Sequence, residues 1–510
     1  MMVAPKLPVP GCRLSVLLQG LINVPTADDV EIHGVCADSR NVQRGDLFLA
    51  CAGGHAHGLD YLSQVVQAGA VAVIYEPPAA GHPALMTTPA VPLLPLRELR
   101  AQLGNIAAGY YKHPSQALDV IGITGTNGKT SCSQFIAQAL DQKDARCGVI
   151  GTLGYGLSGE LSATDRTTPD AVAVQQQMAD MLEHGARHIV MEVSSHALEQ
   201  GRVIGVDFQV AVWTNLSRDH LDYHGDMASY AKAKQRLFQA PGLRHAVINL
   251  DDDFGRELIA TIPAGVKTIG YTLNTQSAQH AILDAQCIVS GSALKLSDAG
   301  IELQVQSAWG EGCLRANLLG RFNASNLLAA LTTLLVLDVP FATAIGRLSR
   351  VSTVPGRMER FGSGRQPLVV VDYAHTPDAL EQALQALRPH CRGKLWCIIG
   401  CGGERDTGKR PLMGAVAERN ADRVVITDDN PRGEDPIQII ADIMNGMRDP
   451  DAAYLRRDRN QAIAFAIEQS IPGDVILVAG KGHEDYQLVG ARRIPYSDRH
   501  SVVLLLRQEG

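Results

Sequence analysis

The segment that most constrains the fold is Asp119-Val-Ile-Gly-Ile-Thr-Gly-Thr-Asn-Gly-Lys-Thr130. Its first residues are mostly branched and apolar, which is typical of a short buried strand. Gly125 and Gly128 then permit a tight turn close to a ligand, and residues 131–141 are predicted to form a helix. A strand, a glycine turn and a helix N-terminus together form a phosphate cradle, because backbone N–H groups and the helix dipole face the anion.

Two side chains at the end of this segment extend the prediction to a nucleotide. Lys129 adds a full positive charge beside the phosphates, and the Thr130 hydroxyl is suited to hold a Mg²⁺ ion that bridges them. The segment departs from the GxxxxGK[ST] pattern, which requires Gly where this chain has Ile123. An ordinary glycine turn is the alternative, but Gly-Lys-Thr at a helix start after an apolar strand favours nucleotide binding.

Length and composition limit the class of protein. A chain of 510 residues is too long for one hydrophobic core, and its size predicts about three domains. The net charge of −7, from 46 basic and 53 acidic residues, indicates neither a nucleic-acid partner nor a membrane surface. We also find no signal-peptide pattern and no apolar run long enough for a membrane span. The ten cysteines are scattered, which favours reduced thiols in a cytoplasmic protein.

Alternating strand-like and helix-like segments predict an α/β protein with three domains. The predicted domains are a small α/β domain at 1–103, a central doubly wound domain of P-loop type at 104–353, and a Rossmann-like α/β domain at 354–510. Within the central domain, apolar and polar residues alternate from 270 to about 313, which predicts an antiparallel layer.

Polar residues of the central domain cluster where predicted strands end, and this is where ligands bind in open α/β sheets. Glu192 stands out because it ends an apolar run, and a buried carboxylate is costly unless it is paired or metal-bound. We interpret Glu192 and His220 as ligands of a second Mg²⁺ ion. A hydrogen-bonded glutamate at a strand end is the alternative.

The last domain repeats the same arrangement of a strand followed by a polar loop. Arg405, Arg432 and Glu484 each follow a predicted strand. Each residue alone is compatible with an ordinary surface charge. Complementary charges at three neighbouring strand ends instead favour a binding site.

The loop Thr124-Gly-Thr-Asn-Gly-Lys-Thr130 resembles the ATP loop of the Mur ligase family, which includes folylpolyglutamate synthetases. Asp38-Ser-Arg, followed by Gly-Asp-Leu-Phe-Leu-Ala, is similar to the N-terminal UDP-binding domain that some members carry and folylpolyglutamate synthetases lack. The resemblance extends over essentially the whole chain in motif order and spacing. It implies a ligase that uses ATP and Mg²⁺.

The resemblance assigns three sets of residues to the nucleotide, the UDP substrate and catalysis. Those implied in ATP binding are Gly125, Thr126, Asn127, Gly128, Lys129, Thr130, Ser131, Asn323, Asn326, Arg357 and Asp372. Those implied in binding the UDP substrate are Ser39, Arg40, Thr167, Thr168, Ser194, Gln200 and Arg202. Those implied in catalysis are Lys129, Glu192, His220 and Lys234, and the implied metal ligands are Thr130, Glu192, His220 and Lys234. For Ser39 and Arg40 alone, ordinary turn chemistry remains the alternative.

Lys234 is assigned through the same resemblance. In the family, the helix after His-Leu-Asp-Tyr-His-Gly carries a lysine that becomes an N-carbamate, and its negative charge completes the metal site. Lys232 and Lys234 both lie in this predicted helix, on different faces. Alignment from the Leu-Phe end of the helix favours Lys234 as the N-carboxylysine.

The segment Asp429-Asn-Pro-Arg432 resembles the signature of the branch that adds meso-2,6-diaminopimelate, whereas lysine-adding relatives lack Arg at the fourth position. The planar fork of Arg432 suits a carboxylate, and Glu484 with the Gly480 carbonyl suits an ammonium. The residues implied in diaminopimelate binding are Arg405, Asp429, Asn430, Pro431, Arg432, Gly480 and Glu484.

The resemblance implies that diaminopimelate is joined to the D-Glu side-chain carboxylate of UDP-N-acetylmuramoyl-L-Ala-D-Glu through an acyl phosphate, in the synthesis of peptidoglycan precursors. The predicted protein is a cytoplasmic monomer that acts on small molecules only. Two other classes remain open at this point. Another amide ligase is disfavoured by the 429–432 segment, and a non-catalytic nucleotide switch would not require Glu192, His220 and Lys234.

Overall fold

The structure is a computed structural model that describes residues 11–508 except 54–55, 78–81, 87–89, 165, 275–286, 298–299 and 363–365. The chain forms two compact units. The first contains Met1–Gly122, Leu140–Gln209 and Ala240–Leu243, and the second contains Ile123–Ala139, Val210–Gln239 and Arg244–Gly510.

The described strands and helices alternate along much of the chain. The strands are β1 (Cys12–Arg13), β2 (Glu31–Ile32), β3 (Gly34–Cys36), β4 (Asp46–Ala50), β5 (Ala72–Tyr75), β6 (Leu93–Pro95), β7 (Asp119–Thr124), β8 (Arg146–Gly151), β9 (Gly154–Leu157), β10 (Glu160–Ser162), β11 (Ala186–Glu192), β12 (Val210–Trp213), β13 (His245–Asn249), β14 (Lys267–Thr272), β15 (Cys287–Ser297), β16 (Gly300–Ser307), β17 (Gly310–Ala316), β18 (Glu359–Phe361), β19 (Leu368–Asp372), β20 (Leu395–Ile399), β21 (Arg423–Ile426), β22 (Tyr454–Leu455), β23 (Val475–Ala479), β24 (Tyr486–Val489) and β25 (Arg492–Pro495). The helices are α1 (Leu14–Leu17), α2 (Leu62–Ala68), α3 (Leu99–Tyr110), α4 (Lys129–Leu140), α5 (Ala171–Glu183), α6 (Ser195–Glu199), α7 (Leu221–His224), α8 (Met227–Gln235), α9 (Asp253–Ile259), α10 (Arg321–Val336), α11 (Phe341–Leu348), α12 (Pro377–Leu387), α13 (Lys409–Asn420), α14 (Pro436–Met444), α15 (Arg459–Glu468) and α16 (Asp498–Gln508).

The N-terminal part of the first unit is built on a parallel sheet in the order β3-β4-β5-β6. Every residue of β4 is buried, as expected for a parallel strand covered on both faces. Helix α3 contributes Leu99 and Ile106 to the core below this sheet. The predicted N-terminal α/β fold is therefore confirmed.

Further along the first unit, the strands run in the order β10-β9-β8-β11, and β8 and β11 are parallel. In the second unit the order is β12-β13-β14-β15-β16-β17. Pairing is parallel from β12 to β15 and antiparallel from β15 to β17, so the predicted change to an antiparallel layer is present.

The C-terminal sheet of the second unit has the order β18-β19-β23-β20-β21-β22 and is parallel except for β18. Successive residues of β20 point to opposite faces. Cys397 packs in the core formed with α12, α13 and α14, whereas Ile398 packs in the core formed with α15 and α16. Helices cover both faces of this sheet, which is the predicted Rossmann-like arrangement.

The predicted helix start at residue 131 is wrong by two residues. Helix α4 begins at Lys129, directly after Gly128, whose φ of 87° completes the turn. Lys129 and Thr130 therefore belong to the first helical turn, where backbone N–H groups have no partner within the helix.

The ten cysteines are all free thiols, as the sequence predicts. Within the described ranges, no helix combines the length and the apolar character that crossing a bilayer requires.

Candidate active site

The glycine loop between β7 and α4 is shaped by two side chains that approach it closely. A Cβ atom on Gly125 would lie 1.9 Å from Thr214 Oγ1, and one on Gly128 would lie 2.7 Å from Asn326 Oδ1. Both glycines also have positive φ, at 145° and 87°. Only glycine satisfies both conditions without strain, so the backbone itself forms the surface beside the start of α4.

Two lysine side chains converge on one carbonyl of this loop. Lys129 Nζ lies 2.8 Å from the carbonyl oxygen of Gly125 and 2.9 Å from that of Thr126. Lys234 Nζ also donates to the Gly125 carbonyl at 2.8 Å and lies 4.4 Å from the centre of the Tyr230 ring. Burial, together with the nearby charge of Lys129, lowers the pKa of Lys234 well below its ordinary value.

The environments of the two lysines on α8 differ sharply. Lys232 is exposed, whereas Lys234 is 1% exposed. The lysine chosen from the sequence is therefore the one whose amine faces the glycine loop. Its identity as an N-carboxylysine stays a prediction.

His220 lies in the second unit, next to a buried carboxylate that the sequence analysis did not select. Its Nε2 is 3.3 Å from Asp219 Oδ2, and His375 Nε2 and Lys409 Nζ each lie 3.5 Å from an oxygen of the same carboxylate. Burial raises the pKa of Asp219, but the hydrogen bond from His375 and the three neighbouring charges outweigh burial and hold this pKa well below its ordinary value.

Arg357 connects the start of α4 to the C-terminal sheet. Its Nη2 donates to Thr130 Oγ1 at 3.0 Å, and its guanidinium lies 4.4 Å from the centre of the Tyr373 ring. At the end of β19, Asp372 Oδ2 accepts a hydrogen bond from the Met358 amide at 2.7 Å. Burial raises the pKa of Asp372, although the charge of Arg357 opposes this.

A cavity of about 270 Å³ opens beside the glycine loop. Its lining combines backbone of the loop with polar and aromatic side chains from strand ends and α10. The lining residues are Asn127, Gly128, Ser131, Thr214, Asn215, Asn249, Asp251, Tyr271, Leu273, Arg321, Phe322, Ser325, Asn326, Arg357, Asp372, Tyr373, Ala374, Asp378, Ala379 and Gln382. A concave site with a phosphate loop at one side and aromatic rings at another suits a nucleotide.

The two asparagines implied in ATP binding occupy different positions. Asn326 lines the cavity and donates from Nδ2 to Asn323 Oδ1 at 3.1 Å. Asn323 is not among the lining residues and donates to the Leu319 carbonyl at 2.8 Å. Asn323 thus holds the orientation of Asn326 in this structure.

The glycine loop is linked through Ser217 and Arg218 to the segment that carries Arg405. Thr126 Oγ1 donates to the Ser217 carbonyl at 3.1 Å and accepts from the Ser217 amide at 3.0 Å. The next residue, Arg218, forms a two-point ion pair with Asp406 at 3.0 and 3.1 Å. A chain of polar contacts therefore runs from the phosphate loop to the residue beside Arg405.

Mg²⁺ prefers oxygen ligands in octahedral geometry. The Thr130 hydroxyl, in the first turn of α4, fits an ion bound at phosphates. Lys234 supplies a nitrogen and would fit only after carboxylation gave it oxygens. In the described part of the chain, no three His, Cys, Asp or Glu side chains are grouped so as to hold a metal ion.

Glu192 lies in the first unit and is 1% exposed. Its Oε1 accepts from the Thr152 amide at 2.9 Å, and its Oε2 accepts from Thr152 Oγ1 at 3.1 Å. These bonds match the alternative of a hydrogen-bonded strand-end glutamate. Its role as a metal ligand stays a prediction.

The residues predicted to bind the UDP substrate all lie in the first unit, and five of them cluster. Arg202 donates to the Thr168 carbonyl at 2.8 Å and to Gln200 Oε1 at 2.6 Å. Thr168 Oγ1 accepts from the Ser194 amide at 3.1 Å, and Thr167 Oγ1 lies 3.0 Å from Thr152 Oγ1.

Ser39 and Arg40 lie in a turn of the same unit. Arg40 Nε lies 2.9 Å from Asp38 Oδ1, and this hydrogen bond lowers the pKa of Asp38 despite partial burial. The charge of Arg166 also lowers the pKa of Asp38.

Five of the seven residues predicted to bind diaminopimelate lie together at the strand ends of the C-terminal sheet. Arg432 has a φ of 52° and donates from Nη1 to the Gly403 carbonyl at 2.7 Å. Asn430 Nδ2 donates to Glu484 Oε2 at 2.9 Å, and a Cβ on Gly480 would lie 2.7 Å from Asp429 Oδ2.

Two further members of this set lie beside the cluster. The Pro431 carbonyl accepts a hydrogen bond from the Glu434 amide at 3.1 Å. Arg405 is exposed and has no hydrogen bond among the described residues. Lys481, which is buried between these loops, was missed because its sequence position resembles an ordinary loop lysine.

Comparison with known proteins identifies three matching protein-family models along the chain. Three family models match in chain order: "Mur ligase family, catalytic domain" over 31–111, "Mur ligase middle domain" over 123–334, and "Mur ligase, glutamate ligase domain" over 356–482. The domain boundaries predicted from the sequence stay predictions.

Curated relatives and solved structures match over nearly the whole chain. The UDP-N-acetylmuramoyl-L-alanyl-D-glutamate–2,6-diaminopimelate ligase of Coxiella burnetii is 49% identical and covers 96% of this chain and 98% of its own. The ligase of the same name from Pseudomonas aeruginosa is 50% identical, with coverage of 92% and 94%. A solved structure of a ligase with this name is 35% identical, has a TM-score of 0.67, and covers 98% of this chain and 99% of its own.

Three family models in the expected order and relatives of about half identity over nearly full length leave one assignment for the chain. It belongs to the Mur ligase family.

Proposed function

We propose that this ligase joins meso-2,6-diaminopimelate to the D-Glu side-chain carboxylate of UDP-N-acetylmuramoyl-L-Ala-D-Glu, with ATP as the source of activation. The observation that carries the proposal is the contact chain from the glycine loop through Thr126, Ser217 and Arg218 to Asp406, the neighbour of Arg405. It links the predicted phosphate site to the predicted amino-acid site. Relatives of 49% and 50% identity carry the corresponding name.

Amide formation from a carboxylate requires activation, because a carboxylate is a poor electrophile. The γ-phosphoryl group of ATP is transferred to the substrate carboxylate, which gives an acyl phosphate and ADP. The diaminopimelate amine attacks this carbonyl, a proton leaves the nitrogen, and inorganic phosphate departs. The backbone N–H groups of the glycine loop and the charge of Lys129 stabilise the negative charge that two anions bring together.

Thr130, His220 and a carboxylated Lys234 would hold Mg²⁺, which would neutralise part of that charge. Arg432 and Arg405 offer cations to the carboxylates of diaminopimelate, and Glu484 offers an anion to an ammonium. Cytoplasmic location and a monomeric state remain predictions from the sequence.

The test is ADP release by the purified protein with UDP-N-acetylmuramoyl-L-Ala-D-Glu and one acceptor at a time. The acceptors are meso-diaminopimelate, L-lysine and D-Ala-D-Ala, and a separate reaction contains a folate and glutamate. We expect ADP release that depends on both the UDP substrate and diaminopimelate. Faster turnover with any other acceptor, or ADP release that needs no acceptor, would contradict the proposal.

A further inference from the structure

A lysine in the C-terminal region is buried, and it has no role in the proposed reaction. Lys481 lies two residues after the end of β23, next to Gly480, and is 0% exposed. A buried ammonium is costly unless it is paired and hydrogen-bonded. Its position therefore requires partners that compensate for the lost hydration.

Those partners are two side chains of the predicted amino-acid site. Lys481 Nζ donates to Glu484 Oε2 at 2.8 Å and to Asn430 Oδ1 at 3.1 Å. Asn430 closes the triangle, because its Nδ2 donates to the same Glu484 Oε2 at 2.9 Å. The amide of Leu488 also donates to Asn430 Oδ1 at 2.9 Å, which fixes the orientation of the asparagine.

The two donors meet at a single oxygen of Glu484. Within the described ranges no hydrogen bond reaches Oε1, and the Glu484 side chain is 14% exposed while that of Lys481 is 0% exposed. A carboxylate accepts through both oxygens, so Oε1 retains its full capacity for another donor. Lys481 itself is too deeply buried to contact a ligand.

We propose that Lys481 is a positioning residue of the amino-acid site. It holds Glu484 through Oε2 and thereby presents Oε1 to an ammonium group of the incoming amino acid. The inference rests on the proposed function insofar as that amino acid is diaminopimelate. Such preorganisation favours binding because the carboxylate loses no further rotamer freedom when the ligand arrives.

Lys481→Met tests this role because methionine fills a similar volume without the ammonium. We expect the KM for diaminopimelate to rise at least about tenfold, the loss typical of one charge-assisted hydrogen bond. The KM values for ATP and for the UDP substrate should change less than about twofold, which a general structural defect would not produce. Arg388→Gln is the control, because it removes an exposed ion pair with Asp422 in the same region.

A double-mutant cycle with Glu484→Gln decides whether Lys481 acts through Glu484. If it does, Lys481→Met should add less than about twofold to the KM for diaminopimelate once Glu484 is already replaced. If the fold changes of the two single variants in the KM for diaminopimelate instead multiply in the double variant, the proposal is wrong. An equal rise in the KM for ATP would also overturn it. Lys481→Gln keeps a donor at this position and should restore part of the loss.

Folding defects and failure of the proposed function give different results. If Lys481→Met, Lys481→Gln and the double variant all fail to fold, Lys481 is a structural residue and the proposal is wrong. If the wild-type protein ignores diaminopimelate but uses another amino acid, the proposed function fails. The same cycle measured on the KM for that amino acid then decides the role of Lys481.

Discussion

If Lys234 is carboxylated, replacing each of the two lysines of α8 by methionine should affect ligase activity very differently. Methionine keeps most of the apolar side chain and removes the amine. Lys234 is 1% exposed and contacts the Gly125 carbonyl, whereas Lys232 is exposed. Lys232→Met is therefore a control on the same helix, matched in chemistry and different only in environment.

The lowered pKa of Lys234 gives the chemical reason for its modification. Only a neutral amine attacks CO₂, forming an N–C bond and losing a proton to give a negative carbamate. Burial and the charge of Lys129 lower this pKa, so the neutral amine persists to lower pH than in an exposed lysine. As pH falls through the folded-state pKa, the amine is protonated and carbamate formation is lost.

The expected loss of kcat follows from the role of the carbamate, which contributes a negative charge at the glycine loop. Removing one preorganised electrostatic group from an active site typically lowers kcat by about 10²–10³. We expect a loss of that size for Lys234→Met and less than about a twofold change for Lys232→Met, because the exposed Lys232 is not assigned to the site and surface substitutions usually change stability by less than about 0.5 kcal/mol. Thermal unfolding should show that both variants are folded.

The assay is ADP release at saturating ATP, UDP substrate and diaminopimelate, with and without added formate or acetate. A short carboxylate should restore part of the activity of Lys234→Met by supplying the missing charge. Carbon-13 NMR of wild-type protein in labelled bicarbonate should show one carbamate signal that Lys234→Met removes. The reasoning is refuted if this signal survives in Lys234→Met, or if Lys232→Met is the inactive variant.

Three other site substitutions and one contact substitution give distinct expected results. Lys129→Ala should abolish ADP release without changing the circular dichroism spectrum, and near-normal turnover would exclude the loop as the ATP site. Gly128→Ala places a Cβ 2.7 Å from Asn326 Oδ1 at a φ of 87°, so nucleotide affinity measured by calorimetry should fall at least about tenfold; unchanged affinity would contradict this geometry. Arg432→Ala should lower kcat/KM for diaminopimelate by roughly 10- to 150-fold, from about 1.5–3 kcal/mol, and lysine by less; equal losses would exclude recognition of the distal carboxylate. Arg218→Ala should lower turnover while leaving ATP affinity unchanged, and unaltered turnover would show that this ion pair does not support the reaction.

Local patterns were sufficient for the architecture of both units. Apolar runs such as Leu395–Ile399 form buried strands, and the polar segments after them lie at strand ends as predicted. The start of α4 was misplaced because a glycine turn and the first helical turn have similar local composition. Helical spacing placed Lys232 and Lys234 on different faces, but only their neighbours in space determine which face is buried.

Contacts between distant parts of the chain could not be predicted in this way. Asp219 and Lys409 lie in segments with unrelated local patterns, and their proximity depends on how α13 and the 217–220 loop pack. The burial of Lys481 could not be predicted either, because a charged residue after a strand is usually exposed to solvent. Its burial follows from the positions of Asn430 and Glu484, which no periodicity encodes.

The contacts that join the 217–220 loop to the segment after β20 are polar, and this has a consequence for the reaction cycle. Arg218 is 44% exposed in its pair with Asp406, and partly exposed pairs typically contribute about 0–1 kcal/mol each. An apolar interface of ordinary size would contribute far more, at about 25 cal/mol per Å². The Arg218–Asp406 pair orients two segments and separates at small cost, whereas separating Lys409 from the buried Asp219 costs more. The two contacts together still allow the segments to part when substrates enter and products leave. An amide ligase that must exclude water from an acyl phosphate and then release its product needs contacts of this strength.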